Sequence, residues 1–195
     1  YRAIRVEHEF EEVVHTPELA AEVTLQPVRR YGVDAAILFS DIVTPLQGLG
    51  LDITIKPGVG PVVEQPVRSE ADLARLRPLE AEDDLGHVME TVAILVDELD
   101  VPLIGFGGAP FTLASYLIEG GPSKSYTRTK QMMYADEGLW HRLLGQLADI
   151  TLASLRAQIA RGASAVQLFD SWAGALHPDD YARYVLPHSR RIFEE

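Results

Sequence analysis

Three short stretches hold the residues that could do chemistry. In "AAILFSD" (35–41) an unbroken apolar run ends in Asp41, and no basic residue follows until Lys56. A carboxylate there could cap the turn at Ile42 to Pro45 or stand as an uncompensated charge in a site, and residue type leaves the two readings even. "GFGGAP" (105–110) invites a dinucleotide-binding loop, but its glycine spacing is wrong and Pro110 stands where a third glycine belongs. What remains is close backbone approach to a ligand, or tight strand–helix packing. In "LFDSWAG" (168–174) Asp170 and Ser171 could each be a turn former or a site group. Tyr116 falls in a helix, where tyrosine is more often core than catalyst. The histidines at 8, 15, 87, 141, 177 and 188 show no H-x-x-x-H spacing and read as surface or capping residues, with no metal site.

The elements that must position these residues follow from the pattern. Val33–Ser40, Val101–Phe106 and Ala165–Phe169 read as strands buried on both faces, with helices between them. Thr16-Pro17-Glu18 opens a helix with a capping hydroxyl that runs to about Tyr31 and stops at Gly32, with Pro27 placed either to bend it or to end it early. "LDITIKPGVGPVVEQPV" (51–67) alternates on both sides of Gly58-Val59-Gly60, which predicts a hairpin. Ser69 opens a short helix through Arg77, and Asp83 or Asp84 a longer one to about Leu99 with Val88, Val92, Leu95 and Leu99 as its stripe. Further helices are expected at about Phe111–Ile118, Thr127–Tyr134 and Glu137–Arg161. The last would bury Leu139, Leu143, Leu147, Ile150 and Ile159 and stop at Gly162. Pro178 opens a final helix that still runs at Glu195.

Strands alternating with helices predict an α/β fold with a parallel sheet. In such folds sites form where loops converge at the carboxyl ends of the strands, so the three strand ends predict one pocket. The units could belong to a doubly wound sheet or to a (β/α)8 barrel, which usually takes about 250 residues.

The 195 residues are 47% hydrophobic and 24% charged, ordinary for a globular chain with a sizeable core. A formal charge of −12, from 29 acidic against 17 basic residues, argues against nucleic acid and anionic membranes as partners. No apolar stretch approaches the roughly 20 residues that cross a bilayer, and no signal-like segment opens the chain, although it begins at Tyr1 rather than Met. The absence of cysteine excludes disulfides and thiolate chemistry and fits a reducing, cytoplasmic setting.

Taken together, "TLQPVRRYGVDAAILFSDI" (24–42), "PLIGFGGAPFTLASYLIEGG" (102–121) and "AVQLFDSWAGAL" (165–176) resemble the uroporphyrinogen decarboxylase family, in order and at fitting separations. The resemblance implies a (β/α)8 TIM barrel of which about the first three strands are present, so that 1–195 is one domain, the N-terminal part of that barrel. It implies a cytoplasmic homodimer that needs no cofactor or metal and removes CO2 from the four acetates of uroporphyrinogen to give coproporphyrinogen. By resemblance Asp41 is the central aspartate, Tyr116 the tyrosine beside it, and Ser171 the hydroxyl that contacts a substrate carboxylate. Losing CO2 from a pyrrole acetate needs an electron sink, and a protonated pyrrole ring is one. Asp41 would stabilise that cation and accept from the pyrrole N–H groups, an electrostatic anchor rather than a cap. Tyr116 would donate to Asp41 or to a substrate carboxylate.

The family's arginine motif would precede Tyr1, and its later histidine and remaining strands would follow Glu195. The strands present would then expose a large apolar edge. Corrinoid-linked methyltransferases with zinc held by Cys and His share this fold. The lack of cysteine and of paired histidines disfavours them, although ligands could come from a missing half. A non-catalytic half-barrel paralogue has no need to keep Asp41, Tyr116 and Ser171 together.

Overall fold

The computed structural model describes residues 1–195. Three helices come first: α1 (Arg2–Glu7), α2 (Phe10–His15) and α3 (Pro17–Tyr31). Pro17 takes the first turn of α3, where its missing N–H costs nothing, and Gly32 ends the helix in a left-handed conformation with φ 60°. Pro27 is accommodated inside α3, and the Thr16 hydroxyl makes no capping bond. Strand β1 (Ala36–Ile37) leads to the short α4 (Thr44–Gly48). The expected hairpin follows, with β2 (Ile53–Lys56) antiparallel to β3 (Gly60–Val63). Three helices come next: α5 (Glu70–Leu73), α6 (Ala81–Asp84) and α7 (Gly86–Glu98). Strand β4 (Leu103–Gly108) passes into α8 (Pro110–Glu119), then α9 (Thr127–Ala135) and the long α10 (Glu137–Ala160). Strand β5 (Ala165–Phe169) is followed by α11 (Pro178–Tyr184) and α12 (Leu186–Glu194).

The sheet is parallel in the order β1-β4-β5, as the strand–helix alternation predicts. Its helix-facing side packs on α8 and α10, and the core gathers Val92, Leu95, Leu103, Phe111, Leu117, Trp140 and Leu147, all 2% exposed or less. The glycines of "GFGGAP" serve this packing. A Cβ at Gly105 would lie 2.3 Å from Gln158 Oε1, and one at Gly108 would lie 2.7 Å from Leu113 Cδ2. The strand has no room for side chains where α10 and α8 cross it, so tight strand–helix packing accounts for these glycines.

Four expectations change. The first strand is not eight residues but two, because β1 leaves β4 early. Leu38 N still donates to Ile104 O (3.0 Å), but Phe39 N donates to Thr24 Oγ1 (2.9 Å) on α3. Neither outer strand is buried on both faces, because each has a neighbour on one side only: Ile37 is 56% exposed, and Ala165 and Gln167 of β5 are exposed. Ile159 likewise faces outward at 51% exposure, beside the open edge of β5. The helix expected from Asp83 to Leu99 and the one from Pro178 onward each form two pieces, divided at Leu85 and at Val185. Pro187 supplies the physical reason in the second case, since a ring without an N–H belongs in a first turn.

Candidate active site at the strand ends

Asp41 sits where β1 has turned out of the sheet. Its Oδ1 accepts the Val43 amide (3.0 Å), and its own carbonyl accepts from Thr44 N (3.2 Å). One carboxyl oxygen therefore does cap the turn, which corrects the reading of Asp41 as no cap at all; the turn and the charge share one side chain. Burial raises its pKa above the ordinary carboxylate range, the Val43 and Ile42 amides oppose this, and the charge of Glu11 adds to the rise. No cation contributes. The carboxylate is thus partly desolvated and has no cation to compensate it, a state that a positive group coming to it would relieve.

The opening that lets β1 leave is filled by Gln158 of α10. In the parallel ladder the Phe106 amide and carbonyl face β1, as those of Ile104 do. With β1 gone, Gln158 Oε1 accepts from Phe106 N (2.9 Å) and Gln158 Nε2 donates to Phe106 O (3.0 Å). Beside this surrogate lies a cavity of about 10 Å³, lined by Ser40, Asp41, Thr44, Gly107, Ser154 and Gln158 among others. That is about the room of one water molecule. Sequence reasoning missed Gln158, and the signal that could have found it is Gly105, one of three strand glycines of the kind that mark a close approach.

Tyr116 comes from α8, one turn beyond Thr112, and is 8% exposed. Its ring meets the Trp172 indole edge-on, centroids 5.9 Å apart. Burial raises its pKa first, the Trp172 indole opposes this, and the charge of Asp41 adds to the rise, so Tyr116 and Asp41 share one electrostatic neighbourhood. No hydrogen bond joins them here, so of the two partners expected for Tyr116 the structure does not pair it with Asp41. Ser171 lies next to Trp172 on the loop after β5, exposed.

That loop is held by a residue not singled out from the sequence. Thr112 Oγ1 donates to Asp170 Oδ1 (2.8 Å) and accepts from Trp172 N (3.2 Å), so α8 grips both sides of Ser171. Asp170 Oδ2 is buried without a partner, and burial raises the pKa of this carboxyl. The histidines also depart from expectation. His177 does cap α11, but His15 and His87 meet with ring centroids 4.6 Å apart, and His141 Nδ1 and His188 Nε2 are 2.9 Å apart. Each of these two pairs joins two different helices, which spacing along the chain cannot reveal.

The site is thus a half-buried, unneutralised carboxyl at one strand end, a buried tyrosine ring within its field, and an exposed hydroxyl on a clamped loop. Such a set can stabilise a cation beside Asp41 and donate to an anion near Tyr116 and Ser171. No helix is long and apolar enough to cross a membrane.

Comparison with known proteins gives a consistent answer. A methyltransferase from Methanosarcina mazei has a similar fold, with a TM-score of 0.71 over 94% of this chain and 55% of its own, at 16% identity. Three relatives are each named uroporphyrinogen decarboxylase. The one from Nocardia farcinica is 61% identical over 100% of this chain and 55% of its own length. That from Streptomyces coelicolor is 63% identical over 91% and 50%, and that from Thermus thermophilus is 54% identical over 100% and 57%. The chain therefore spans about half the length of the curated relatives it matches. The family model described as uroporphyrinogen decarboxylase (URO-D) matches residues 1–195, and the chain belongs to that family.

Proposed function

We propose that this chain carries the decarboxylating centre of a uroporphyrinogen decarboxylase, with Asp41 as the group that stabilises the transition state. The observation that carries the proposal is the half-buried Asp41 carboxyl, its pKa raised by burial, with no cation beside it. A proton added to the ring carbon next to the one bearing the acetate makes the ring a cation conjugated with that position. The bond to the carboxylate then breaks, its electron pair neutralises the ring, and CO2 leaves. The ring proton is lost and the exocyclic methylene takes up a proton, so that each acetate plus one proton becomes a methyl group and CO2. A desolvated carboxylate gains most from a neighbour at the moment that neighbour turns positive, which is stabilisation of the transition state over the ground state. The ring itself is the electron sink, so the reading asks for no cofactor or metal.

Tyr116 would donate to a substrate carboxylate, since it makes no bond to Asp41, and Ser171 would do the same from the rim. The same family likeness supports the remaining parts of the reading: a homodimer, and a sheet that forms part of a (β/α)8 barrel in one domain. The open edges of β1 and β5 are what a partial barrel would present.

The test is Asp41→Asn in the protein carried to the length of its relatives. The amide keeps the Val43 cap and removes the charge. Turnover of uroporphyrinogen should fall by a factor on the order of 100 or more while substrate still binds. Turnover like that of the unaltered protein would remove Asp41 from the chemistry.

A further inference from the structure

We propose that Tyr126 is a further substrate-binding residue of this site, its phenol acting with that of Tyr116 on one substrate carboxylate. The proposal rests on the decarboxylase reading above. Tyr126 is the sole residue other than glycine in the left-handed region, with φ 52° and ψ 36°. That conformation costs a side chain free energy and persists only where its surroundings impose it, as they often do at functional sites. Here the chain turns from the loop after α8 into α9, and Tyr126 N donates to Ser123 Oγ (3.0 Å). The result is a ring driven inward, 6% exposed, with its centroid 5.7 Å from that of Trp172.

The same indole carries Tyr116, so Trp172 sets two phenols at one end of the sheet. Neither hydroxyl donates to a protein group, neither is sealed from solvent, and the Trp172 indole, itself only a donor, offers them no acceptor, so both are open to a ligand. Burial raises both pKa values first, the charge of Asp41 and then Tyr126 add to the rise at Tyr116, and the charge of Glu119 adds to it at Tyr126. Both stay protonated near neutral pH and can only gain by donating. A carboxylate has two oxygens and accepts from two donors at once. Neutral donors also suit this place better than arginine, because a fixed cation beside Asp41 would quench the charge that acts on the pyrrole ring.

The rival reading is that Tyr126 only packs. Tyr126→Phe separates the two, since phenylalanine keeps the ring, the indole contact and the backbone. In the protein carried to the length of its relatives, this variant, Tyr116→Phe and the double variant are assayed on uroporphyrinogen, with thermal midpoints followed alongside. The KM of Tyr126→Phe should rise about tenfold, the lower end of what a hydrogen bond to a charged acceptor contributes, with a smaller change in kcat. The double variant should lose less than the product of the single losses, because the two donors share one acceptor. A KM within twofold of the unaltered protein overturns the proposal, as do losses that simply multiply. An unaltered protein that leaves uroporphyrinogen intact would sink the decarboxylase reading itself, and this proposal with it.

Discussion

At Phe106 the sheet offers an amide and a carbonyl to a strand that has already turned away, and Gln158 takes both through the two ends of one side chain. Gln158 is 2% exposed and holds Ser154 Oγ as well (3.2 Å), so its polar atoms are fully used. Gln158→Leu fills similar space but leaves two backbone groups and Ser154 without that partner. At about 1–3 kcal/mol for each buried polar group left unpaired, the expected loss is about 3 kcal/mol, read as a lower urea midpoint at unchanged slope. A midpoint like that of the unaltered protein would mean that water replaces the amide, or that β1 closes onto β4. Asp41 was conspicuous in the sequence because a charge ends an apolar run. Gln158 and Asp170 were not: a buried glutamine looks like any polar residue on a long helix, and an aspartate after a strand looks like a turn. Their roles depend on partners 52 and 58 residues away.

Helices meet at two histidine seams, α2 against α7 through His15 and His87, and α10 against α12 through His141 and His188. Burial pushes His87 and His188 down to about 4 from the ordinary 6.5, with His15 adding to the first and His141 and Arg191 to the second. The unfolded chain takes up these protons near pH 6.5, while the folded one resists until about 4. Stability from this source is therefore complete above pH 6.5 and is lost as the pH falls toward 4. Asp41 and Asp170 act with the opposite sign: burial raises their folded values, so acid favours the folded form from those raised values down to 3.8. The urea midpoint should thus fall between pH 6.5 and 4.5, and fall less steeply in His188→Gln, which has nothing to titrate there. A flat profile in the unaltered protein would show that the seams open to water. At this scale α3, α8, α10 and the hairpin were legible, since their starts and stops lie in local residues such as Pro17, Gly32, Pro110 and Gly58. The length of β1 was not, because its end depends on distant groups: Phe39 N turns to Thr24 on α3, and Gln158 of α10 takes the place beside Phe106. The break before α12 had a local signal in Pro187, which the continuous apolar pattern masked.

Across the whole molecule the apolar surface is distributed unevenly. Val33, Ile37 and Phe39 line a groove of about 360 Å³ on the free side of β1, and Leu155, Ile159, Val166, Ile192 and Phe193 line one of about 230 Å³ outside β5. An apolar run tells what a strand is built to sit beside, not whether the neighbour is in the same 195 residues, and for that reason burial of the outer strands was overread. Unpaired parallel edges with apolar flanks invite association. The formal charge of −12 opposes it. Repulsion reaches about 30 Å at 0.01 M salt but only about 8 Å at 0.15 M, while apolar contact is not screened. The 195-residue polypeptide alone should therefore sediment as a smaller species at low salt and associate as salt is raised. Ile37→Lys with Ile159→Lys places charge beside both edges, at side chains 56% and 51% exposed, and should suppress the association. Those lysines also lower the net negative charge, which by itself would promote association, so suppression must come from the edges. A polypeptide that stays monomeric at every salt concentration, or that associates equally in the doubly substituted form, would show that these edges are not what the molecule most needs to cover.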